Sequence, residues 1–291
     1  MALLFAMPGN ETFGSRLAES AGLDQGQLEV RRFPDGETYV RILSPVSRET
    51  VFLLCTLARP DAQFLSLVFA ARALREQGAA SVRLIAPYLA YMRQDIRFRP
   101  GETITSLHFA DLISGEFDGL VTIDPHLHRH RSLSDLYSIP ATALSAAPAL
   151  AGWIRDNVPA PLLVGPDEES EQWVKEIAGL VGVPFILCRK ARHGDREVTI
   201  SLTDANRHSG RQPILVDDIA SSGRTLAEAA RRLQVTSGAK PICAVIHALF
   251  EKGALEALRP VTRAIVSTDT VPHETNGVSV AGLLARGIGG P

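Results

Sequence analysis

The segment ILVDDIASSGRTL, residues 214–226, runs from an apolar stretch into two adjacent acids and then a turn of small and hydroxylated residues. Gly223, Arg224 and Thr225 lead into an Ala-rich helical pattern. A strand, a tight turn and a helix in succession leave several backbone N–H groups free. With the helix N-terminus and the hydroxyls of Ser221, Ser222 and Thr225, these can cradle a phosphate. Asp217 and Asp218 can accept hydrogen bonds from vicinal sugar hydroxyls or favour a bound Mg²⁺. The same residues also fit a plainer reading, a solvated strand end with a hydroxyl capping the next helix. The spacing is not GxxxxGK[ST], which argues against a P-loop nucleotidase.

Other apolar runs end in polar groups of the same kind. VTI leads to Asp124, Pro125 and His126, and LLVG to Pro166, Asp167 and Glu168. IAPYLAYM leads to Arg93, Gln94 and Asp95, with Arg97 and Arg99 beyond, and FILC leads to Arg189, Lys190, Ala191, Arg192 and His193. One acidic strand end means little. Acids, a histidine and cations repeated at that position suggest a site for a metal and phosphates. His126, His128 and His130 alternate and imitate a zinc triad.

The elements behind these groups alternate. VFLLCTL (51–57), VRLIAPY (82–88), GLVTID (119–124), PLLVGPD (161–167), FILC (185–188), ILVDD (214–218), ICAVIHALF (242–250) and AIVSTD (264–269) read as buried strands. Segments 64–78 and 225–238 between them repeat apolar residues at helical spacing and end near glycine. Such alternation predicts mostly parallel sheets flanked by helices, with ligands beyond the strands' C-terminal ends. The pattern occurs twice, and SIPATALSAAPAL (138–150) is the expected boundary. At 291 residues, two domains are the default. They are expected at 1–143 and 144–276, with the C-terminal tail, about 277–291, able to pack back on the first.

Thirty basic against 32 acidic residues leave no overall basic field to attract nucleic acid or a membrane. No apolar run approaches the ~20 residues that span a bilayer. MALLFAMPGN lacks a basic leader and reads as a first strand, so the cytoplasm is the expected compartment. Cys55, Cys188 and Cys243 are odd in number, form no CxxC pair and are expected to pack as small hydrophobes.

The quoted stretch resembles the phosphoribosyl-pyrophosphate (PRPP) motif of phosphoribosyltransferases and of ribose-phosphate pyrophosphokinases. The latter resemblance goes much further. RRFPDGETYVRI (31–42), APYLAYMRQDIRFRPGETIT (86–105), TIDPHLH (122–128), GPDEES (165–170), CRKARHGDREV (188–198) and STDTVP (267–272) look like that family's segments, in its order. The resemblance implies two phosphoribosyltransferase-like domains, assembled as a homo-oligomer, a dimer or larger. It implies transfer of pyrophosphate from Mg-ATP to the 1-hydroxyl of ribose 5-phosphate, giving PRPP and AMP.

By motif match, Phe33 would stack on adenine, with Asp35 and Glu37 reading its edge. Arg93, Gln94 and Asp95 would complete the ATP site, and His126 and Asp167 would serve the Mg²⁺. Lys190 and Arg192 would carry catalysis from a loop. Asp217, Asp218, Ser221, Ser222, Gly223 and Thr225 would bind ribose 5-phosphate. His128 and His130 match nothing in the family and are expected at a surface or interface. Arg97 and Arg99 either add charge at the ATP site or form subunit salt bridges.

The chain departs from the family pattern at two places. Arg224 stands where a glycine is usual, and Glu168, Glu169 and Glu171 crowd Asp167. These leave open a catalytically silent or regulatory homologue, a phosphoribosyltransferase, and a kinase for a related sugar phosphate.

Overall fold

A computed structural model describes residues 2–193, 197–201 and 208–289. The chain divides into two compact units, Met1–Ser145 with Ala281–Pro291, and Ala146–Val280.

The first unit is built on β1 (Ala2–Ala6), β2 (Asp24–Gly26), β5 (Thr50–Leu54), β6 (Ser81–Ala86), β7 (Leu120–Ile123) and β8 (Ala141–Leu144). They form one sheet in the order β2-β1-β5-β6-β7-β8, and every pairing is parallel. Strands β3 (Leu28–Arg32) and β4 (Thr38–Ile42) make a separate antiparallel hairpin. The unit's helices are α1 (Glu11–Ala21), α2 (Pro60–Glu76), α3 (Thr105–Glu116) and α8 (Ala281–Ile288). Helix α2 starts four residues earlier than its apolar spacing suggests, because Pro60 sits in the first turn, where its fixed φ is already helical. It buries Leu67, Ala70, Ala71 and Leu74, the i, i+3, i+4, i+7 spacing that places one face on the core.

The second unit repeats this plan. Strands β9 (Pro161–Gly165), β10 (Phe185–Leu187), β13 (Gln212–Ala220), β14 (Ile242–Ala248), β15 (Ala264–Thr268) and β16 (Asn276–Val278) form a parallel sheet, ordered β10-β9-β13-β14-β15-β16. Its hairpin is β11 (Arg189–His193) with β12 (Glu197–Ser201). Its helices are α4 (Ala147–Asn157), α5 (Glu171–Val181), α6 (Arg224–Ser237) and the short α7 (Ala254–Leu258). Element for element, β9 corresponds to β1, the β11–β12 hairpin to β3–β4, and β13 with α6 to β5 with α2.

The first unit closes with a helix from the far end of the sequence. Helix α8 follows β16 but packs on α1, β7 and β8 in the first unit, while α4 follows β8 but packs on α5 and β16 in the second. The stretch 138–150 is therefore a sixth strand and the start of a helix, and the division falls between Ser145 and Ala146.

The continuous apolar runs reflect burial on both sheet faces. Ile214, Leu215 and Val216 of β13 are fully buried, and Leu215 shares a core cluster with Leu226, Ala227, Ala230 and Leu233 of α6. In each sheet successive strands leave in opposite directions from β1 and from β9. The crevices at the C-terminal ends of β1/β5 and of β9/β13 are thus the topological switch points where open parallel sheets bind ligands.

Candidate active site

In the second unit, the β9/β13 crevice gathers the predicted acids. Strand β13 does not end at Asp217-Asp218, as the apolar run alone suggests. It continues to Ala220, pairing Asp217 with Val245 and Ile219 with His247 of β14. The carboxylates fold back on their own strand: the Asp218 N–H donates to Asp217 Oδ1 at 3.1 Å, and the Ile219 N–H to Asp218 Oδ1 at 2.8 Å. Asp217 is half-buried and Asp218 buried. Burial, then the charges of Asp218 and of Asp167, push the Asp217 carboxyl well above the usual carboxylate range. Three acids close enough to repel one another are held beside a turn lined with N–H groups.

That turn is fixed from behind. The carbonyls of Ala220 and Ser221 accept the N–H groups of Leu249 and Glu251 at 2.9 and 3.0 Å. The first-turn N–H groups of α6 have no partners within the helix, as at every helix start. Gly223 takes φ 67°, and a Cβ there would lie 3.1 Å from Leu258 Cδ1, so conformation and space both favour glycine. Arg224 is the first residue of α6 and is exposed, and only Gly223 needs positive φ. The arginine in the glycine's usual place therefore carries no backbone strain.

Asp167 closes the other side of the crevice, just past β9. Its Oδ1 accepts the Ser170 N–H at 3.2 Å and its carbonyl accepts the Ser170 hydroxyl at 2.7 Å, which turns the chain into α5. A cavity of about 250 Å³ is lined by Asp167, Glu168, Glu169 and Cys188. Beside it, Lys190 and Arg192 lie on β11; their side chains fall outside the described residues.

In the first unit, FPDGE forms the turn of the β3–β4 hairpin. The Phe33 N–H donates to the Glu37 carbonyl at 2.8 Å, and the Glu37 N–H to Asp35 Oδ1 at 3.1 Å. Phe33, Asp35 and Glu37 are all exposed, the Phe33 residue by 41%. A large apolar ring left in water on a short turn suits a stacking platform.

Arg93 is exposed, and Gln94 is tied to the start of α3, its Oε1 accepting the Thr105 hydroxyl at 3.3 Å. Asp95 differs from both. It is buried, and its Oδ1 accepts Arg129 Nη1 at 2.7 Å, while Oδ2 has no hydrogen-bond partner. Arg129, which sequence reasoning passed over, thus fastens the 93–99 segment to the chain after β7. Its only sequence signal is its place in a histidine-rich run. Arg97 and Arg99 are engaged locally: Arg97 Nε donates to the Glu102 carbonyl and the Arg99 N–H to Glu102 Oε2.

Asp124 takes φ 35°, an uncommon left-handed conformation that bends the chain between β7 and His126. The His126 and His128 rings meet at 3.9 Å. Among the described residues no three metal-ligating side chains gather to hold an ion, so the alternating histidines form no zinc triad. His128 is exposed, whereas His130 is half-buried with its Nε2 unpartnered. His126 belongs to the first unit and Asp167 to the second.

Residues 2–115 match the family described as the N-terminal domain of ribose phosphate pyrophosphokinase, and residues 132–288 match the phosphoribosyl transferase domain. A ribose-phosphate pyrophosphokinase of Methanopyrus kandleri is 34% identical over 94% of each chain. One of Methanosarcina acetivorans is 31% identical over 97% of each. The chain belongs to the ribose-phosphate pyrophosphokinase family.

The crystal structure of phosphoribosylpyrophosphate synthetase from Mycobacterium smegmatis superposes with a TM-score of 0.85 at 25% identity, covering 99% of this chain and 97% of that one. The two units are thus the two phosphoribosyltransferase-like domains of this family of enzymes, each a parallel sheet flanked by helices. All three cysteines are free and buried, as their apolar settings predict. No described helix is long and apolar enough to cross a membrane.

Proposed function

We propose that this member of the ribose-phosphate pyrophosphokinase family transfers the β,γ-pyrophosphoryl group of ATP to ribose 5-phosphate. The 1-hydroxyl oxygen of the sugar attacks the β-phosphorus, and a bond from oxygen to phosphorus forms. The bond from that phosphorus to the bridging oxygen of the α-phosphate breaks, and AMP leaves. The hydroxyl proton passes to solvent, and the products are PRPP and AMP. The match to the Methanopyrus kandleri ribose-phosphate pyrophosphokinase, over 94% of each chain, carries this reading.

In this reading the β13–α6 turn holds the 5-phosphate through Ser221, Ser222, Gly223 and Thr225, and Asp217 with Asp218 orients the ribose hydroxyls. Phe33 stacks on the adenine, Asp35 and Glu37 read its edge, and Arg93 with Gln94 and Asp95 completes the nucleotide site. Lys190 and Arg192 stabilise the negative charge that spreads over the phosphate oxygens as the bond changes.

The donor set suits Mg²⁺. Asp167, Asp217 and Asp218 repel one another in the second unit, and hard carboxylate oxygens are the ligands that Mg²⁺ takes, few in number beside several waters. On their motif matches alone we assign His126 in the first unit and Asp167 in the second to Mg²⁺ binding. When bound, the ion offsets phosphate charge and polarises the phosphoryl oxygens.

Homo-oligomer assembly is part of the same reading. It is supported by an apolar groove of about 410 Å³ on the first unit, walled by Phe64, Tyr91 and Phe109. Leu65 and Leu112 at its rim are 57% and 53% exposed. A cytoplasmic location belongs to the same reading, following from the family the chain belongs to.

The test is AMP release from Mg-ATP with and without ribose 5-phosphate, the products identified by ³¹P NMR. Sugar-dependent AMP with PRPP signals is expected. ADP would mean attack at the γ-phosphorus and a different kinase, and ATP binding without turnover would point to a silent homologue.

A further inference from the structure

The β3–β4 hairpin has two unlike faces, because residues two apart along a strand project to the same side. Val30, Arg32, Thr38 and Val40 share the inner face, where Arg32 Nη2 donates to the Ala62 carbonyl at 2.7 Å and the Thr38 hydroxyl lies 3.2 Å from that of Ser66, both on α2. Glu29, Arg31 and Phe33 share the outer face, with Tyr39 directly across from Arg31. The Arg31 guanidinium carbon lies over the Tyr39 ring, 4.1 Å from its centroid, and over the Phe33 ring at 4.8 Å. The two rings meet edge to face, 6.2 Å apart at 90°. Glu29 Oε1 approaches Arg31 Nε at 3.5 Å and steadies the guanidinium from behind.

We infer that Arg31 is a positioning residue for the nucleotide, holding the Phe33 ring in one orientation so that a planar base stacks on the surface left open. The inference rests on the reading of Phe33 as the base platform. An exposed aromatic ring on a turn loses rotamer freedom when a ligand stacks on it, and that loss weakens binding. Here the planar guanidinium bridges Tyr39 and Phe33, so much of the freedom is removed before the base arrives. A lysine cannot do the same, because its ammonium is a compact charge with no extended plane to touch both rings at once.

The experiment is steady-state kinetics of the full chain for ATP and for ribose 5-phosphate, with Arg31→Ala, Arg31→Lys and Phe33→Ala. Arg31→Ala is expected to raise the KM for ATP roughly two- to five-fold, the scale of an exposed cation–π contact. The kcat and the KM for ribose 5-phosphate should stay as they are, and Arg31→Lys should recover only part of the loss. Tyr39→Phe keeps the ring and should behave as the parent, which guards against a hairpin that is merely unsettled. An unchanged KM for ATP in Arg31→Ala, with a raised one in Phe33→Ala, would overturn the clamp while leaving the platform standing. Full recovery by lysine would also overturn it, since simple attraction of the triphosphate would then suffice. If Phe33→Ala itself leaves the KM for ATP unmoved, the platform reading fails and takes the clamp with it.

Discussion

Replacing Lys190 by alanine tests whether catalysis here is charge stabilisation at the phosphates. A contact made mainly in the transition state should cost roughly 10²–10³-fold in kcat and leave the KM for ATP nearly intact. An unchanged kcat would remove Lys190 from the mechanism. Arg129 tests a different kind of charge. Asp95 is buried and its paired oxygen has Arg129 as its partner, so Arg129→Ala leaves a buried carboxylate unsatisfied. The expected loss is about 1–3 kcal/mol, read as a lower urea midpoint. At Cys55, burial alone pushes the thiol up from 9.0 to about 12. The folded state holds that proton more tightly than the unfolded chain, so this contribution is complete below pH 9 and is lost as pH climbs from 9 to 12. The slope is about 1.4 kcal/mol per pH unit within that window. The urea midpoint of the parent should therefore fall more steeply above pH 9 than that of Cys55→Ala. Equal slopes would contradict the buried-thiol account.

At the scale of elements, the β13–α6 turn depends on where α6 begins. Gly223 carries the positive φ and faces Leu258, whereas Arg224 is an ordinary first helical residue. Gly223→Ala should cost about 1–2 kcal/mol from the left-handed backbone and should raise the KM for ribose 5-phosphate. Arg224→Gly relieves no strain, so its urea midpoint should not rise. A clear rise would mean that the turn's backbone differs from the one described. Much of this element was legible in the sequence, because small residues after a buried run leave few alternatives to a tight turn. The reach of β13 was not. Asp217 and Asp218 look like a terminus because acids seldom sit inside a strand, yet here hydrogen bonds to their own backbone and a neighbouring β14 keep the strand going. The first hairpin was legible only in its Pro34-Asp35-Gly36 turn, since RRFPDGETYVRI shows no clean two-residue alternation to mark the strands on either side.

For the whole molecule, the return of α8 to the first unit has a mechanical consequence. The first unit's fold is completed by residues from the C-terminus, with Ala281, Leu284 and Ile288 buried. Leu284→Ala should cost about 2–5 kcal/mol, the range for a truncated core leucine. Removing 281–291 should destabilise the distant first unit, which limited proteolysis of β1–β8 would detect. If the truncated chain kept that unit as resistant as the parent, the helix would be dispensable.

The sequence by itself determined the chemistry and the class of fold. Residue types at strand ends and runs buried on both faces are local facts, set by the groups a phosphate or a core can accept. The resemblance of six ordered segments then tied those groups to one family. Only the tertiary structure decided the pairings across distance: that Asp95 belongs to Arg129, that Arg31 touches both Tyr39 and Phe33, and that the two hairpins occupy equivalent positions. Those choices turn on which buried surfaces fit one another and which charges find a partner. Both depend on contacts between residues far apart in the chain, which local spacing does not encode.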